Sequence, residues 1–204
     1  AQRLTLQGHL SFLKDLNGTL DFNDIRSAFA AGNFSVANGP DLPTGYLVDK
    51  PFWIHFSLEY PTDDRSIWWL LLAPDLLNTI TVYAEQPDGR FTVHEGGRHL
   101  PLTKRALEVV GHAFKLGNDP GGVRHYYIRT TFNAALKIEP TLWKEKEIYR
   151  FFNKVNAQFG AYVGLAGLMA LMAAYRAFIY RNRWDIAYLA YIIGFELFHI
   201  TTTG

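Results

Sequence analysis

Alternation with a period of two runs through the first two thirds of the chain. In FWIHFSL (52–58), Phe52, Ile54, Phe56 and Leu58 fall on one face of a strand, and Trp53, His55 and Ser57 on the other. IWWLLL (67–72) is apolar on both faces, the pattern of a central strand covered on both sides. NTITVYA (78–84) alternates again, and QPDGR (86–90) supplies the Asp-Gly pair of a tight turn. FTVHEG, EVVGHAF, VRHYYIRTT and ALKIEPTLW complete about eight strands, at the roughly ten-residue interval of sandwiches and jelly rolls. DFNDIRSAFA (21–30) is the one predicted helix of this part, with Asn23 or Asp24 to cap it. The expected domain is mainly β, a jelly-roll β-sandwich over residues 1–145.

The pattern changes at KEKEIYRFFNKVN (144–156), a charged and then aromatic stretch without Gly or Pro, read as a stiff connector over 146–156. From Ala157 through Tyr175 the chain is overwhelmingly apolar. A helix of that length spans roughly 29 Å, close to the roughly 30 Å hydrocarbon core of a bilayer. The first transmembrane helix is expected over 157–180. WDIAYLAYIIGFELFHITTTG resumes the apolar pattern as a second transmembrane helix over 185–204, with Asp185 at its start. No polar stripe runs at helical spacing along the first segment, so every face wants an apolar neighbour, and a sandwich that fills its own interior offers none. Gly160, Gly164 and Gly167, continued by Ala170 and Ala174, form a ridge suited to close backbone approach in lipid. The alternative, a buried helical hairpin of a soluble domain, fits the length poorly. Arg176, Arg181 and Arg183 cluster at the turn, and the positive-inside rule puts the Arg181–Arg183 turn in the cytoplasm. Residues 1–150 are then expected on the other side. The apolar pattern still runs at Gly204, which predicts a chain that continues.

Composition sharpens this division. The 204 residues carry a net charge of only +1, which gives no basic face for nucleic acid. Sixteen Lys/Arg and seventeen Asp/Glu lie in 1–150, against four and two in 151–204. With no cysteine there is no disulfide framework, thiolate metal site or cysteine nucleophile.

The segments LSFLKDLNGTLDFNDI, GYLVDKPFWIHFSLEYP, WWLLLAPDLLNTITVYAEQPDGRF, HYYIRTT and TLW, in this order, resemble a known family. It is that of the bacterial seven-transmembrane receptors with diverse intracellular signalling modules, with the second type of extracellular domain. GAYVGLAGLMALMAAYRAFIYRNRWDIAYLAYIIGF is similar to the first two helices of its seven-helix part. The resemblance implies a periplasmic jelly roll resembling carbohydrate-binding modules, held in the bacterial inner membrane. It also implies a cytoplasmic histidine kinase or diguanylate cyclase output beyond these residues. The chain departs from the pattern at His55, where an Arg commonly follows the Trp-hydrophobic pair.

A sandwich binds sugar with aromatic faces and a few orienting polar groups. Trp53, His55, Trp69, Tyr83, Tyr127 and Arg129 are the candidate ligand-binding residues, against the plainer reading of core tryptophans and an Arg129 paired with a carboxylate. Trp53 and His55 share one strand face, and Tyr127 and Arg129 share another; on one common face they would form a patch. His94, His99, His112 and His125 have no HxH or HExxH spacing, so no metal site is expected. Glu196 and His199, three apart in the second span, are candidate membrane-embedded polar residues, with helix packing as the alternative. No serine sits in a GxSxG context and no carboxylate pair stands out, so neither catalytic residues nor a cofactor are expected. The expected function is that of a sensory, ligand-binding module of a membrane signalling receptor. Its expected partners are a small-molecule or carbohydrate ligand, the lipid bilayer and a second copy in a homodimer. A membrane-tethered glycan-active enzyme and a β-sandwich interaction scaffold are the alternatives.

Overall fold

The computed structural model describes residues 3–6, 8–37, 42, 44–45, 47, 49–63, 65–73, 76–101, 107, 111–117, 121–134, 136–181 and 183–203, with the backbone alone at 3 and 199–203. Two compact units divide the chain, residues 1–148 and 149–204.

In the first unit the strands are β1 (Arg3–Thr5), β2 (Ser11–Lys14), β3 (Ser35–Val36), β4 (Phe52–Tyr60), β5 (Trp68–Ala73), β6 (Thr79–Glu85), β7 (Phe91–Gly96), β8 (His112–Gly117), β9 (Gly122–Thr131) and β10 (Glu139–Lys144). The helix α1 (Phe22–Ala30) lies between β2 and β3 in sequence. A four-stranded sheet runs β1-β10-β5-β8 and a six-stranded sheet β3-β2-β4-β9-β6-β7. Every pairing is antiparallel. From β4 to β10 the chain changes sheet at each step except the β6–β7 hairpin, which is the interleaving of a jelly roll. The fold is thus a two-sheet β-sandwich, as the alternation predicts. Residues 108–110 of EVVGHAF lie outside the described residues.

The strand pattern decides which side chains meet between the sheets. Phe52, Ile54 and Phe56 of β4 join Ile80, Val82 and Ala84 of β6 and Tyr126 and Ile128 of β9 in the interior, facing Leu70, Leu72, Phe114, Leu116 and Leu142. Tyr60 and Tyr126 satisfy one another there, hydroxyl to hydroxyl at 2.7 Å.

The cap of α1 is Asp21, two residues before Asn23 and three before Asp24. Asp21 is extended, and its carboxylate accepts the Asp24 amide at 2.8 Å. The Asp24 carboxylate in return accepts the Asp21 amide at 3.0 Å, closing a reciprocal capping box. Asp24 is therefore the third helical residue rather than the cap. Upstream, the buried Asp15 carboxylate takes the amides of Gly18, Thr19 and Leu20 at 2.7, 3.3 and 3.1 Å, folding the β2–α1 connection.

β10 ends at Lys144 and helix α2 (Glu145–Tyr180) starts at the next residue, so the charged connector and the first apolar segment are one helix. Its first turn belongs to the sandwich: the Glu145 amide donates to the Ile67 carbonyl at 2.9 Å, and Ile148 is fully buried.

In the second unit α2 continues to Tyr180, and α3 (Arg183–Thr203) follows. Arg181, at φ 48, makes the turn between them. Arg176 bridges to Asp185 at 3.3 Å, tying the end of α2 to the start of α3. Large apolar side chains such as Leu168, Leu171, Met172, Tyr175 and Phe178 stand exposed, which water disfavours and acyl chains welcome. Among the described residues one helix, α2, is long and apolar enough to cross a membrane. A Cβ added at Gly160, Gly164 or Gly167 meets nothing within 4 Å, so the small-residue ridge lies open.

Candidate ligand groove on the outer sheet face

The six-stranded sheet turns one face to the sandwich interior and the other to α1. Pairing sets the outer face in rows: Trp53 opposite Arg129 and Thr81, then His55 opposite Tyr127 and Tyr83. Trp53, His55, Tyr83, Tyr127 and Arg129 therefore share one face. Trp69 does not join them; it lies on β5 of the other sheet, opposite Trp143, and is buried.

That face is not open. Ile25, Trp53 and Tyr127 form a second apolar layer between α1 and the sheet, with Phe22, Phe29 and Tyr83 packed against it. Phe22 stacks on Tyr83 with ring centres 4.0 Å apart, and Phe29 lies 3.7 Å from the His55 ring. Trp53, within this layer, is 1 % exposed, with the Arg129 guanidinium 6.0 Å from its ring centre. Arg129 pairs with no carboxylate among the described residues.

His55 and His125 meet below Phe29. His55 Nε2 and His125 Nδ1 are 3.1 Å apart and share one proton, and Ser11 Oγ lies 3.3 Å from His55 Nδ1. Burial, and then the neighbouring His125, push the His55 imidazole down to about 4. The His125 amide donates to Glu85 Oε2 at 2.8 Å.

Where α1 leaves the sheet partly uncovered, a groove of about 470 Å³ opens, lined by Asn23, Arg26, Ser27, Phe29, Ala30, His125 and Tyr127. Burial holds the Tyr127 hydroxyl above the ordinary phenol range, so it stays a proton donor. Of the sequence candidates Tyr127 lines this groove, and His55 supports it from below through His125. Asn23, Arg26, Phe29 and His125 are not singled out for ligand binding by sequence. The signal for the α1 members is their spacing: residues 23, 26, 27 and 30 share a helix face. No cluster of three or more His, Asp or Glu side chains able to hold a metal occurs among the described residues.

In the second unit Glu196 faces Tyr162 of α2, whose hydroxyl hydrogen-bonds to it. The Glu196 Oε2 atom is buried and has no partner among the described residues. The His199 side chain lies outside the described residues.

Among solved structures the chain is similar to the β-glucuronidase of Ruminococcus gnavus in complex with D-glucuronic acid, at 13% identity and a TM-score of 0.40. That match covers 69% of this chain and 29% of the enzyme. It is also similar to a calcium-binding mutant of Bacteroides uniformis beta-glucuronidase 2, at 13% identity and a TM-score of 0.41, over 69% of this chain and 18% of that one. The chain thus spans less than a third of these enzymes. No curated protein matches it. Residues 7–144, the sandwich with its groove, match the family described as 7TMR-DISM extracellular 2, and the chain belongs to this family of extracellular sensory domains of membrane receptors.

Proposed function

We propose that the chain is the ligand-sensing part of a bacterial inner-membrane receptor whose sandwich, in the periplasm, takes a small carbohydrate-like ligand in the groove between α1 and the sheet. The observation that carries this reading is the groove itself, where an aromatic wall from Phe29 meets the polar ends of Asn23, Arg26, His125 and Tyr127. Apolar walls with a few convergent polar groups are what a sugar-sized site requires. A glycosidase needs two carboxylates across its cleft, and no acid is among the described residues lining this one.

A ligand shifts a receptor only through unequal affinity for two of its states. The direct join of β10 to α2 offers one route for that difference, and a change in how two sandwiches pair in a homodimer offers another. Lipid is the partner of α2 and α3, and a histidine kinase or diguanylate cyclase is the proposed cytoplasmic output.

The test is thermal unfolding of the whole chain in detergent against a panel of mono- and oligosaccharides, since a ligand that binds only the folded state raises Tm by mass action. A hit should lose its effect in Ala30→Phe, which fills the groove from an exposed helix position. Stabilisation unchanged by Ala30→Phe would move the ligand elsewhere, and a panel without any hit would count against a carbohydrate.

A further inference from the structure

The groove is one-sided in its chemistry. Arg26 stands at its edge with the guanidinium carbon 5.2 Å from the Phe91 ring centre, and makes no hydrogen bond or ion pair with any described residue. The Phe91 face steadies the cation while leaving its planar fork of N–H donors unengaged. The Tyr127 hydroxyl and the Asn23 side-chain amide, both in the lining, likewise have no hydrogen-bond partner among the described residues. His125 spends Nδ1 on His55 and keeps Nε2 uncommitted. Among the described residues of the lining, Arg26 is the only charged side chain. Glu85, an acid whose charge is felt at Tyr127, stands outside the lining, with Oε2 committed to the His125 backbone amide at 2.8 Å.

A neutral sugar presents hydroxyls that both donate and accept, and is best met by a mixture of carboxylates, amides and donors. The described residues of this groove present a cation, a phenol and an amide, and no carboxylate. A guanidinium pairs best with a planar carboxylate, through two parallel N–H···O bonds. We infer that the groove selects a carboxylate-bearing ligand of monosaccharide size, such as a sugar acid, and that Arg26 reads its charge. The inference rests on the groove being the ligand site, as proposed above. Glu85 acts against the same charge from outside the lining, so it tunes affinity downward.

The experiment compares matched pairs that differ only in the acid, D-galactose with D-galacturonate and D-mannose with D-mannuronate, by calorimetric titration of the whole chain in neutral detergent. At least one acid should bind about tenfold or more tightly than its neutral partner, the scale of a hydrogen bond to a charged group. Arg26→Gln, at an exposed helix position, should erase that preference, Arg26→Lys should restore part of it, and Glu85→Gln should tighten the acid alone. Equal binding of acid and neutral sugar, still blocked by Ala30→Phe, would overturn the selection for acids and leave the groove standing. An acid preference that Arg26→Gln leaves intact would overturn the role of Arg26. Binding indifferent to Ala30→Phe, or no binding by either member of either pair, would count against the groove and this inference together.

Discussion

His55 is the side chain on which the outer layer is most exposed to a change of conditions. It is 5 % exposed, lies against Phe29, and is held neutral by burial and by His125, with its imidazole near 4 instead of 6.5. The unfolded chain therefore takes up a proton on this ring at a higher pH than the folded chain does. The stability His55 contributes is present in full above about pH 6.5 and is lost as pH falls through about 4. His94, also lowered by burial, adds to the same slope. Denaturant unfolding from pH 7.5 down to 4 should show a loss on the order of 2 kcal/mol assignable to His55. His55→Gln should flatten that part of the curve and leave the part due to His94. A wild-type curve that stays level across this range would mean that the folded ring takes up its proton at the same pH as the unfolded chain does.

The helix α1 is the element on which the groove depends, and its seat is set by a few backbone bonds. Asp15, buried, gathers three amides of the β2–α1 connection, and Asp21 caps the helix. Asp15→Ala leaves those amides without their acceptor and should cost about 2 kcal/mol. Asp21→Ala removes only the cap, for about 1 kcal/mol. In both variants amide hydrogen exchange should speed up over residues 22–30 while β4 and β9 keep their protection; equal loosening of the central strands would mean that α1 is no separate layer. Much of the sheet was legible beforehand, because a strand's geometry is local. The alternation in FWIHFSL sends Phe52, Ile54 and Phe56 to the interior, and IWWLLL does bury Leu70 and Leu72 on one side and Trp69 on the other. The cover was not legible. Phe22 meeting Tyr83 and Phe29 meeting His55 join residues far apart in the chain, with no periodic signature to announce them. The same face of β4 therefore reads equally well as a ligand platform and as a second core, and Trp53 and His55 on it are buried beneath α1.

The largest consequence is where the two units lie with respect to a bilayer, and the sequence offers an unusually clean way to ask. The chain has no cysteine, so any single introduced thiol reports its own surroundings. Asp88 sits in the exposed turn of the β6–β7 hairpin, and Tyr180 is the exposed last residue of α2, beside the turn that Arg181 makes. Neither substitution touches Arg176, Arg181 or Arg183, whose positive charges favour the cytoplasmic side. In spheroplasts of cells expressing the whole chain, a membrane-impermeant maleimide should label Asp88→Cys at once and Tyr180→Cys only after lysis. The sandwich carries nearly all of the charged side chains and gains nothing from lipid, whereas the exposed leucines, methionine and aromatics of α2 lose their cost there. Labelling of Tyr180→Cys in intact spheroplasts would place the arginine turn outside and reverse the orientation. Labelling of both thiols before lysis, with the chain recovered in the soluble fraction, would remove α2 from the bilayer altogether.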